Sequence, residues 1–139
     1  MTLAPQGIGQ FATYGATMLL LGPRLPVERQ RAAFEKGKGF YEQLYRAQEK
    51  GLDQYPVHFK GEVLSGMAEA EHWTGNPKQS RVWLQRILTS MPGTPYETQA
   101  RKWLDKPESI SKTNRVMCQT CHEPGRLGPR LAALEKAGQ

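Results

Sequence analysis

The chain has 139 residues, 38% of them hydrophobic and 23% charged, with 19 basic and 13 acidic side chains for a net charge of +6. That length suits one domain with a real core, and a mean hydropathy of −0.62 is on the polar side, as in a small helical protein that completes its core with a bound group. The basic excess does not point to nucleic acid, because no basic residues cluster with aromatics along one element.

Met1 to Pro23 carries no charged residue. Its apolar part, Phe11 to Leu21, is short for a membrane span and lacks the basic start and small-residue cleavage site of a signal peptide. An uncleaved anchor ahead of an exported body would leave Arg24, Arg29 and Arg31 outside, against the positive-inside tendency. The expectation for residues 1–25 is a segment that packs as a helix on the domain. The alternative is a membrane-facing or subunit-facing surface on residues 1–23.

The body runs from residue 26 to residue 105. Pro26-Val27-Glu28 opens a long helix to about Gly51, with Ala32, Ala33, Gly37, Phe40, Tyr41, Leu44 and Tyr45 at helical spacing. Leu52 to Pro56 stops it. A second helix from Val57 to Thr74 carries Phe59, Val63, Leu64, Met67, Ala68 and Trp73 on its apolar stripe. Gly75-Asn76-Pro77 breaks the chain, and Pro77 suits the first turn of a third helix that runs to Met91 with Val82, Trp83, Leu84, Ile87 and Leu88 inward. Pro92-Gly93-Thr94-Pro95 is the next break, followed by a short helix from Tyr96 to Leu104. No stretch reads as a strand, so the expected fold is all-α, built of antiparallel helical hairpins.

Met67-Ala68, Gly75, Ser80, Leu84, Ile87 and Pro92 resemble the small residues, hinge, packing residues and closing proline of a tetratricopeptide repeat. Pro56 and Pro92 lie 36 residues apart, close to that family's 34-residue period. Ala100 and Trp103 open the next unit. The resemblance covers residues 30–104 and implies a helical body of the kind that binds partner proteins.

Residues 106–139 form a separate C-terminal segment: a polar connector from Lys106 to Asn114, then Cys118-Gln119-Thr120-Cys121-His122, then a short helix from Arg130 to Ala137. Cys-x-x-Cys-His is the covalent attachment signature of a c-type haem. One turn of backbone holds both sulfurs along one haem edge while the adjacent imidazole becomes the proximal iron ligand. The pair holds the only 2 cysteines of the chain, and chance would give the pattern in about one such chain in a thousand. A structural zinc site wants four ligands, usually two separated pairs, and here His58 and His72 alone could complete one pair. A redox Cys-x-x-Cys opens a helix after a strand, and no strand pattern precedes this one. Haem c is the expected cofactor.

The following residues, Glu123-Pro124-Gly125-Arg126-Leu127-Gly128-Pro129-Arg130-Leu131, resemble the class I cytochrome c stretch in which Cys-x-x-Cys-His precedes Gly-Pro-x-Leu. The resemblance covers residues 116–132. It implies that Pro129 lies beside His122 on the proximal side and that Leu131 packs on the haem. The class I axial methionine has no counterpart, because no methionine follows Met117. The distal ligand candidates are therefore His58, preferred for its place at the start of the second helix, and His72 at that helix's other end. Met67 and Met91 read as core.

These features give the expected function: a mono-haem, non-enzymatic one-electron carrier, or an accessory subunit of a larger redox complex. Haem is attached outside the cytoplasm, so a periplasmic or extracytoplasmic site follows. Between Arg101 and Gln139 stand eight basic and four acidic side chains, four of the six net positive charges. Such a basic rim suits docking to an acidic redox partner protein. A neighbouring subunit, including a second copy, is a further source of the sixth ligand or of a neighbouring haem. The alternative is a haem-based sensor or peroxidase-like protein with an open iron site, for which the sequence offers no paired distal His/Arg signature.

Overall fold

The structure is a computed structural model and describes residues 14–110. Within them all regular structure is helical, with no strand. Residues 14–21 belong to the first helix, α1. Then come α2 (Val27–Gln48), α3 (Val57–Trp73), α4 (Pro77–Ser90) and α5 (Pro95–Asp105). Short 3-10 turns occupy Gly22–Arg24, Glu49–Gln54 and Pro107–Ser109.

The helix ends have local causes. Pro77 and Pro95 stand in the first turns of α4 and α5, where the missing N–H costs nothing. Thr94 caps α5 by accepting the Glu97 N–H, and the Glu97 carboxylate reaches back to the Gly93 N–H at 2.7 Å, a variant of the capping box. That N–H and the Arg101 guanidinium hold the Glu97 carboxyl below its usual pKa, with Arg101 the larger influence. At the end of α3, Gly75 has φ 88°, a left-handed conformation that side chains other than glycine rarely adopt. Around it Gly75 N–H donates to His72 C=O and Asn76 N–H to Glu71 C=O, the paired bonds of a Schellman motif.

Consecutive helices alternate in direction. In α1 against α2, Gly15 meets Tyr41 and Leu19 meets Gly37. In α2 against α3, Tyr41 lies over Gly66 and Phe34 stacks on Trp73. In α3 against α4, Lys60 Nζ donates to Ser90 C=O at 3.1 Å and Ser80 Oγ to Ala68 C=O at 2.8 Å. The outcome is a layered arrangement. α3 and α5 run in the same direction, with Tyr96 at His58 and Trp103 at His72. α2 and α4 meet behind them, where Tyr45 packs edge-on against Trp83 at 4.8 Å and Arg86 lies over both rings.

The core runs through all five helices: Leu19, Leu20, Phe34, Tyr41, Leu44, Leu64, Met67, Leu84, Ile87, Met91 and Trp103 are buried. Among the described residues the all-α reading and the helix bounds hold within a few residues; the expected helix from Arg130 to Ala137 lies outside them. Two side-chain expectations do not hold. Val82 is 53% exposed, because Ser80, Leu84 and Ile87 form the inward row of α4 and residue 82 lies about 200° around the helix from residue 80. Ala32 is exposed, and the buried positions that follow it are Ala33 and Phe34.

One surface pair carries a testable electrostatic consequence. Lys60 Nζ lies 2.9 Å from the Asp53 carboxylate, and that hydrogen bond, with its charge, holds the Asp53 pKa below the usual value. A depressed carboxylate pKa contributes stability above the unfolded value, near pH 4, that is lost as the pH falls through the folded one. Asp53 is exposed, so the contribution is small. Lys60→Gln should move the Asp53 titration up toward the ordinary aspartate range, measured by carboxyl NMR; an unmoved titration would refute the pairing.

Candidate functional site

Cys118, Cys121, His122, Pro129 and Leu131 lie outside the described residues, as do residues 1–13 of the uncharged N-terminal segment. The two distal candidates lie within them, on one helix. His58 stands in the first turn of α3 and His72 in its last. Fourteen residues at about 1.5 Å rise separate them by roughly 21 Å, so the two cannot serve one iron together.

His58 has a 55% exposed side chain, with Nε2 3.9 Å from a Glu62 carboxylate oxygen. Its Nδ1 is 3.3 Å from the Tyr96 hydroxyl, which also lies 3.3 Å from the His58 carbonyl oxygen. Val57 is exposed beside it, and Glu62 stands one turn further along α3.

His72 is half-buried and aromatic on two sides. Its ring centroid lies 4.9 Å from that of Trp73 and 5.3 Å from that of Trp103, both edge-to-face. Trp73 in turn stacks on Phe34 at 5.4 Å with an interplanar angle of 20°. Four rings from α2, α3 and α5 thus form one contiguous cluster, Phe34–Trp73–His72–Trp103, in which Phe34 and Trp103 belong to the buried core. Trp73 is held by its Nε1–H, which donates to Glu69 at 3.2 Å, and Glu69 is itself fully buried.

A polar latch fixes the same end of α3. The Glu71 carboxylate accepts from Asn76 Nδ2 at 3.0 Å and lies 3.3 Å from Lys38 Nζ on α2. The α3–α4 turn is therefore tied to α2 directly beneath the His72 backbone. The sequence pattern did not single out this latch or the meeting of Phe34 and Trp103 with the rings of α3. Trp73 and Trp103 are 30 residues apart, and no local spacing signals that they meet.

Among the described residues there is no group of three or more His, Cys, Asp or Glu side chains able to hold a metal, and no helix long and apolar enough to cross a membrane. No protein-family model, curated protein or solved structure matches the chain.

Proposed function

We propose that this chain is a mono-haem c-type cytochrome of the electron-transfer kind, an accessory redox subunit or one-electron carrier acting outside the cytoplasm. The observation that carries it is Cys118-Gln119-Thr120-Cys121-His122, the chain's only cysteines arranged with an adjacent imidazole. The donor set fits the group: two thiols for thioether attachment and a neutral imidazole for iron. When bound, haem c supplies a one-electron iron couple. The protein's own residues do the rest. Cys118 and Cys121 would fix the group to the chain and His122 would ligate its iron, and the class I resemblance implies that Pro129 and Leu131 would cover its proximal side.

The body supports a partner-docking role. The reading of α3–α4 as one tetratricopeptide-like unit is supported by the Ser80–Ala68 contact across the pair, the burial of Leu84 and Ile87, and Pro92 after α4. Such units present extended surfaces to other proteins, and the basic excess from Arg101 onward suits an acidic redox partner.

The test is the reduced spectrum of the protein produced in a host that attaches haem c. Low-spin bands that carbon monoxide leaves unchanged are the expected result. Ready carbon monoxide binding would replace the carrier with the sensor or peroxidase-like alternative. A colourless protein that binds zinc would overturn the haem reading.

A further inference from the structure

The first two helices carry their charge unevenly. On α2, Glu28, Glu35 and Glu42 recur every seven residues and so share one stripe of the helix. Arg31 and Lys38 stand against that stripe, 4.0 Å from Glu35 and 3.7 Å from Glu42. Arg29, Lys36 and Phe40, spaced by seven and four, form a second stripe about 100° around the helix from the first. Arg29 and Lys36 are exposed, and among the described residues no ion pair engages either.

α1 lies beside this second stripe. The Tyr14 ring meets that of Phe40 at 5.6 Å between centroids, and Met18 and Leu19 lie at Gly37. Residues 14–21 carry no charge. Gly15, Leu19 and Leu20 are buried, which leaves Tyr14, Met18 and Leu21 at i, i+4 and i+7 along the outer side of α1. Tyr14 is 52% exposed. The turn between the helices is fixed by Gln30, whose Nε2 donates to Leu25 C=O at 2.9 Å. The result is a ridge with apolar side chains along its crest, two cations beside it and no carboxylate in either stripe.

We propose that this ridge rests on an anionic lipid surface, with Tyr14, Met18, Leu21 and Phe40 entering the headgroup layer and Arg29 and Lys36 facing the lipid phosphates. The inference goes beyond the haem reading and does not depend on it. A lipid surface asks for apolar area and positive charge, without matched pockets or paired donors, and the ridge offers those two things together. An acidic protein would answer the cations but not the apolar crest. A tyrosine suits the boundary, because its ring is apolar and its hydroxyl stays wet. The contact runs along the surface, not across the bilayer.

The experiment is co-sedimentation of the whole chain with sucrose-loaded vesicles, of phosphatidylcholine alone or of equal parts phosphatidylcholine and phosphatidylglycerol. The parent should sediment with the anionic vesicles, less with the neutral ones, and less again as salt screens the two cations. One basic side chain near an anionic membrane strengthens binding about fivefold, so Arg29→Gln with Lys36→Gln should weaken it about 25-fold. Tyr14→Asp, at an exposed position, should abolish it. Lys78→Gln with Lys102→Gln removes the same charge from exposed positions of α4 and α5 and should bind as the parent does, which separates the ridge from net charge. Circular dichroism checks that each variant keeps its helices. Vesicle binding is read without iron, and haem attachment is read by haem surviving denaturation, so either reading can fail alone. A parent that stays in solution with both vesicles would overturn the proposal, as would equal weakening in the two charge variants or undiminished binding by Tyr14→Asp. A parent dimer that Tyr14→Asp dissociates, with no vesicle binding, would assign the ridge to a second copy and overturn it too.

Discussion

With Cys118 and Cys121 both replaced by serine, the protein should come through denaturing electrophoresis without haem, where the parent keeps it. A thioether bond is covalent, so the loss is complete rather than graded, and it is the largest effect expected of any substitution in this chain. Each single Cys→Ser variant retains one possible thioether and should hold haem less efficiently than the parent. His122→Ala removes a ligand but neither sulfur, so it should keep covalent haem with an altered spectrum. That ordering separates haem attachment from the other uses of a Cys-x-x-Cys pair. A zinc site would lose metal with any one of the three residues, and a disulfide would be indifferent to His122. The helical body should survive the double substitution, because among the described residues a core already runs from Leu19 to Trp103 through α1 to α5. Unchanged haem staining in the double variant would end the c-type reading.

Tyr41→Ala should destabilise the body by about 3–5 kcal/mol, the usual cost of truncating a fully buried aromatic ring. Tyr41 is 0% exposed and fills the space between three helices: a Cβ on Gly15 would meet its ring at 2.7 Å, and one on Gly66 would fall well inside van der Waals contact. At roughly 4 °C per kcal/mol for a domain of this size, the thermal midpoint should fall by about 12 °C or more. Gly66→Ala probes the same contact from the other side. On an exposed helix surface that change stabilises by about 0.5–1 kcal/mol; here the methyl must displace a buried ring, which costs about 1–3 kcal/mol, and the clash wins. The decisive comparison is the pair. In a Tyr41→Ala background the ring is gone, so Gly66→Ala should turn from destabilising to neutral or stabilising, a coupling that a double-mutant cycle reads directly. Additive effects in chemical denaturation would mean that Tyr41 and Gly66 do not share the contact.

The same contact shows why sequence reading goes as far as it does and then stops. Helix existence and bounds are legible because their causes are local. Pro77 and Pro95 start helices, Gly75 ends one, and apolar residues recur every three to four positions. The haem signature is legible for a related reason: its chemistry needs three side chains within five residues, so backbone spacing alone carries it. Tyr41 reads as an apolar helix position, yet nothing around it in the chain says that Gly66, 25 residues on, leaves room for its ring. Val82 shows the opposite case. Its chemistry suggests the interior, but the inward row of α4 is set by what α3 presents to it, and Val82 falls outside that row.

The different settings of the two histidines belong wholly to the second category. In the sequence, His58 and His72 differ only in position along one helix. Packing gives His58 a carboxylate and a phenol at an exposed rim, and gives His72 two indoles beside the point where the chain leaves the body. Attachment chemistry is written in neighbouring residues, because covalent geometry reaches only a few ångströms. The surroundings of each histidine are assembled from helices distant in the chain, because only the packing of α2, α3 and α5 brings those side chains together.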